Sequence, residues 1–63
     1  MTYQIKTFRE EKNMSQQELA DKSGISRATI SGLERGTITV TTTDTLIKIA
    51  TALDKKVSEI FFP

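Results

Sequence analysis

Two capped helical segments with only about three residues between them constrain this chain more than any other feature. They lie in SQQELADKSGISRATISGLERG, Ser15 to Gly36. Ser15-Gln16-Gln17-Glu18 reads as a capping box, in which the Ser15 hydroxyl receives the Glu18 amide and the Glu18 carboxylate reaches back to the Ser15 amide. A helix therefore starts at Gln16, and Gly24 stops it, because glycine adopts positive φ at little cost. Ser26 then caps a further helix, Arg27 to Arg35, with Gly36 as its stop. So short a glycine-containing turn makes the two helices cross steeply. Leu19 and Ala20 face inward, Ile25 plugs the turn, and Ile30 and Leu33 close the core behind it.

The flanks supply more helices. Ile5 and Phe8 are three apart and precede Arg9-Glu10-Glu11-Lys12, a short amphipathic helix ending near Asn13. Further on, Leu46, Ile49, Ala50 and Leu53 follow the i, i+3, i+4, i+7 pattern of one helical face. Thr42 or Thr43 caps that helix, and Asp44 in its first turn suits the helix dipole. Val57 to Phe61 forms a last helical turn. Between Gly36 and this fourth helix, Thr37 to Thr43 alternates β-branched residues, but no second strand-like segment can pair with it. It reads as an extended loop whose Ile38 and Val40 cover either the core or a partner. The reading is all-α, a single domain over residues 1–63.

Composition narrows the chemistry. The 63 residues contain neither cysteine nor histidine. That excludes disulfides and thiolate metal sites and removes the commonest metal ligand and general base. No cofactor, metal or catalytic residue is expected, and an enzyme is poorly supported. The opening MTYQIKTFREEK has no apolar run of a signal peptide, and no stretch approaches the length of a membrane helix. A cytoplasmic location and no membrane partner are therefore expected. Nine Lys and Arg against eight Asp and Glu give a net charge of only +1, so any anion-binding surface must come from local segregation of charge. The Lys55-Lys56 pair reads as a solvated loop.

Taken as a set, SQQELADKSGISRATISGLERG with the flanking FREEKNM and TLIKIATAL resembles the phage repressor and Cro-like, or XRE-type, helix-turn-helix transcription regulators. The resemblance covers nearly the whole chain. It implies a compact five-helix lambda-repressor-like domain that binds operator DNA as a dimer, with helices 2 and 3 as the helix-turn-helix. It also implies a phosphate contact for Gln16 and an internal salt bridge between Arg9 and Glu34. One position departs from the pattern: Ser23, before the turn glycine, is usually apolar in this family, and that loosens the packing expected behind the turn.

The N-terminal part of the recognition helix meets base edges in the major groove. That places Arg27, Ala28 and Thr29 nearest the bases, with Ser31 and Gly32 on the same outward face. Arg27 is the long donor among them, suited to guanine. Gln16 heads the second helix, where free amides favour a phosphate; Ser26, Arg35, Thr37 and Thr39 are further phosphate candidates. Gly32, costly inside a helix, is expected to leave a bare patch that lets the backbone sit deep in the groove, so that Gly32→Ala would stabilise the fold and weaken DNA binding. Apolar residues left over from the core, Ile47, Val57, Phe61 and Phe62, are candidate dimer contacts. The function read from the sequence is a repressor occupying a palindromic operator as a homodimer, with no separate ligand-sensing domain and no small-molecule effector. An antitoxin or adaptor that binds another protein is the alternative.

Overall fold

A computed structural model of the chain describes residues 4–38 and 41–60. These form five helices: α1 (Ile5–Glu11), α2 (Gln16–Ser23), α3 (Arg27–Arg35), α4 (Thr43–Ala52) and α5 (Val57–Ile60). Each boundary has a local cause. The capping box at α2 is fully formed, with Glu18 N donating to Ser15 Oγ at 3.0 Å and Ser15 N to Glu18 Oε1 at 2.9 Å. Hydrogen bonding of the carboxylate to the Ser15 amide first, and to the Ser15 side chain second, holds the Glu18 pKa below the ordinary glutamate value. Ser26 caps α3 through Thr29 N at 3.2 Å, and Thr42 rather than Thr43 caps α4 through Thr45 N, also at 3.2 Å.

The stops also follow the chemistry. Gly24 and Gly36 take φ of 75° and 82°, the left-handed region in which a Cβ is strained. α1 ends at Glu11, and Asn13, at φ 54°, turns the chain so that Met14 N donates to Arg9 O at 3.0 Å. Asp54, at φ 57°, does the same after α4, where Lys55 N reaches Ala50 O at 2.9 Å. Asparagine and aspartate tolerate this conformation better than other non-glycine residues.

The core is one cluster drawn from all five helices: Ile5, Leu19, Ala20, Ile30, Leu33, Ile49, Ala50, Ala52, Leu53 and Ile60. Phe8, Met14, Ile25, Ile38 and Val57 pack against its edge. α2 is central, touching α3 on one side and α4 on the other. Gln4 N donates to Ile60 O at 3.1 Å and closes the two ends of the described chain on each other. Leu46, expected on the buried face of α4, is only half-buried, whereas Ala52 lies fully inside. Lys55 is not simply a solvated loop residue, since its ammonium sits 4.9 Å from the centre of the Phe8 ring.

Candidate nucleic-acid interface

The capping that fixes α3 also fixes what it shows to solvent. With Ile30 and Leu33 buried, Arg27, Ala28 and Arg35 stand exposed, and Ser31 and Thr29 are half-buried. Arg27 and Arg35 are eight residues apart, about 12 Å along the helix axis. Neither arginine makes an ion pair among the described residues. The Ser26 and Thr29 hydroxyls lie 2.9 Å apart, and Ser26 Oγ also accepts the Thr29 amide. One hydroxyl proton is used between the two, so the other remains to donate outward.

Glu34 lies on the same helix but is withdrawn from this surface. Its carboxylate is bound in two places by Arg9, from Nε to Oε2 at 2.9 Å and from Nη2 to Oε1 at 3.0 Å. The pair is nearly enclosed, the side chains being 12% exposed for Arg9 and 4% for Glu34. The remaining Arg9 nitrogen, Nη1, donates to Met14 O at 2.8 Å. Hydrogen bonding to Glu34 holds the Arg9 guanidinium still more firmly in its charged form. Gln16 joins the cluster, its Nε2 donating to Glu34 Oε1 at 3.1 Å. α1, the start of α2 and the end of α3 are thus tied at one carboxylate. Because Arg9 neutralises it, the outward face of α3 carries only positive side-chain charge.

Gly32 is not on that outward face. It is buried, and a Cβ built on it would lie 2.5 Å from Ile38 Cδ1 and 2.7 Å from Ile38 Cγ1. The chain after α3 folds back along the helix and lays Ile38 over the glycine. Three amides, those of Gly36, Thr37 and Ile38, and the Thr37 hydroxyl are directed at the Gly32 carbonyl. The helical wheel places Gly32 away from Ile30 correctly; a non-local segment, not the helix's own core, covers it. The bare-patch reading of Gly32 is therefore wrong, and the glycine is needed for close approach.

Thr37 is exposed, but its amide and its hydroxyl both turn to the Gly32 carbonyl, which leaves neither aimed at a phosphate. Thr39, Val40, Phe61 and Phe62 lie outside the described residues. Val57 packs on the core edge, and Ile47 stands exposed on α4 beside Lys22 and Ser23 of α2.

A family model for the helix-turn-helix, HTH_3, matches residues 5–60, the whole span of the five helices. The chain belongs to the XRE-type helix-turn-helix family. No curated protein matches it. Membership makes this a DNA-binding transcriptional regulator in a family of regulators rather than of enzymes. No helix among the described residues is long and apolar enough to cross a membrane.

Within this helix-turn-helix domain the structure brings Gln16, Ser26, Arg27 and Thr29 to the N-terminal ends of α2 and α3, with Arg35 at the far end of α3. Sequence reasoning missed the bond from Gln16 to Glu34. A signal for it existed, since Arg9 and Glu34 were already paired and Gln16 begins the intervening helix. Holding one amide proton on Glu34 fixes the orientation of the Gln16 side chain and leaves its second N–H free to meet a phosphate.

Proposed function

We propose that this helix-turn-helix regulator is a repressor that occupies a palindromic operator as a homodimer, with α3 in the major groove. The observation that carries the reading is the enclosure of Glu34 by Arg9, which leaves α3 facing outward with Arg27 and Arg35 alone as charges. A chain with a net charge of only +1 thereby presents a locally cationic helix. In this reading Arg27 reads a guanine, Ala28 and the Thr29 methyl meet apolar base edges, and Ser31 hydrogen-bonds a base. Gln16, the Ser26 hydroxyl and Arg35 hold phosphates. Gly32 and Thr37 have no contact with DNA.

One recognition helix reads few base pairs, so two copies at half-sites one helical turn apart supply the missing affinity. Val57 at the start of α5, with Phe61 and Phe62 beyond it, provides the dimer surface. The test is selection of bound sequences from a random DNA pool, paired with sedimentation. Enrichment of an inverted repeat with half-site centres about 34 Å apart supports the proposal. Enrichment of a single half-site, or a monomer in sedimentation with DNA bound, overturns the dimer. No enrichment at all overturns sequence-specific reading.

A further inference from the structure

A groove of about 280 Å³ runs between the end of α2 and the outer side of α4, lined by Lys22, Ser23, Ile47, Lys48, Thr51 and Ala52. It is smaller than the usual range of small-molecule sites, about 300–1,000 Å³, and has room for one large side chain with its adjoining backbone. Its apolar part is exposed. Ile47 is 48% accessible, the only large apolar side chain so placed among the described residues.

The groove follows from the serine at position 23. Ser23 Oγ accepts the Ile25 amide at 3.2 Å, so this small side chain is turned into its own corner and fills little of the adjacent space. Its hydroxyl proton stays available, and Thr51 adds a second hydroxyl. Lys22 makes no ion pair among the described residues; Lys48 is paired with Asp44 at 3.1 Å, and Asp44 is not part of the lining. The walls therefore offer the unpaired ammonium of Lys22, that of Lys48 shared with Asp44 beside the groove, two hydroxyls and an apolar patch.

We propose that this groove docks an acidic segment of another protein, seating one large apolar side chain on Ile47 and Ala52 and a carboxylate beside Lys22. A second copy of the chain is the competing occupant, and the test below reads it. The groove lies on the α4 side of α2, whereas α3 packs on α2 elsewhere, so partner and DNA bind together. The proposal does not depend on the operator reading.

The probes are the labelled peptide EELFEE and its neutral analogue QQLFQQ, followed by anisotropy and by amide shifts of the isotopically labelled chain. EELFEE is expected to shift the amides of the six lining residues. QQLFQQ binds about five-fold more weakly, and Lys22→Gln lowers EELFEE affinity about three-fold, as an exposed charge pair allows. Ile47→Glu, a change at an exposed side chain, abolishes EELFEE binding and leaves the helical circular dichroism of the chain unaltered. The proposal fails if EELFEE does not bind at about 1 mM, the weak limit of specific recognition. It also fails if the shifts centre on Arg27 and Arg35, if duplex DNA alone shifts the groove amides, or if Ile47→Glu turns a dimer into a monomer.

Discussion

Gly32→Ala separates a glycine that is tolerated from one that is required. In an open helix interior the change would stabilise by about 1 kcal/mol. Here the new Cβ would stand 2.5 Å and 2.7 Å from the Cδ1 and Cγ1 atoms of Ile38 and 3.3 Å from the Thr37 hydroxyl oxygen. Turning the Ile38 terminal methyl relieves only the first of these. Cγ1 is attached to Cβ, so Ile38 must change its χ1 rotamer or the loop must lift. Forcing one extra carbon into a packed place costs about 1–3 kcal/mol. The balance is a net loss of about 1 kcal/mol, or a fall in Tm of about 4–8 °C for a domain this small.

The double mutant makes the reasoning testable without trusting the absolute value. Ile38→Ala alone should cost about 1 kcal/mol, half the burial of a large aliphatic side chain. On that background nothing obstructs the new Cβ, and Gly32→Ala should stabilise by about 1 kcal/mol. The sign of one substitution reverses with the residue at position 38, a coupling of about 2 kcal/mol. Urea unfolding followed by helical circular dichroism measures all four chains, provided the slope m is unchanged. Equal effects of Gly32→Ala on both backgrounds, or stabilisation of the native chain by about 1 kcal/mol, would refute the packing account.

Four further outcomes are expected. Arg27→Ala should lose about 1–3 kcal/mol of operator affinity and relax preference at one base position, read from titrations of base-substituted operators; an equal loss on every sequence would make Arg27 a phosphate contact. Arg35→Ala should weaken binding to all sequences alike and reduce the salt slope by about one. Glu34→Ala strands the enclosed Arg9 guanidinium and the Gln16 amide, so thermal melting should show a loss of about 3 kcal/mol; a loss under about 1 kcal/mol would class the pair with ordinary surface bridges. Glu18 has a lower pKa folded than unfolded. Between those two values the unfolded chain binds more protons, so the stabilisation is present above the unfolded pKa and fades as pH falls through the folded one. Glu18→Gln should flatten that acid limb in pH-dependent melts, and an unchanged limb would remove the capping box from the account.

Whatever was decided by neighbours in sequence could be read from it. Ser15 with Glu18, Ser26 with Thr29, and the glycines at 24 and 36 act over three or four residues, and each terminates a helix where its chemistry requires. The 3.6-residue period likewise marks Leu19, Ile30, Leu33, Ile49 and Leu53, because a core face is a property of the helix carrying it. Gly32 shows where this stops. Its wheel position is outward, and only the return of Ile38 along α3 buries it, a contact that no periodicity within α3 encodes. Ile38 could be read as cover for either core or partner, and packing chose the core. Lys55 over Phe8 is of the same kind, joining the α4–α5 corner to α1 across the fold.

The electrostatic side of the interface depends on a non-local contact as well. Glu34 is separated from Arg9 by 25 residues, yet that pairing decides whether α3 faces DNA as a cation or as a near-neutral surface. An unpaired Glu34 would place a carboxylate next to Arg35, within the screening length of about 8 Å at physiological salt, and cancel much of its attraction for phosphate. The same carboxylate orients Gln16 at the head of α2. Stability and DNA affinity are therefore coupled at Glu34: its removal exposes no negative charge to the phosphates but unfastens three helices. DNA binding by Glu34→Ala should accordingly fall with the folded fraction and, where the chain is kept folded by low temperature, recover except for the part that the oriented Gln16 supplies to all sequences alike, whereas Arg27→Ala should fold normally and still lose its base preference.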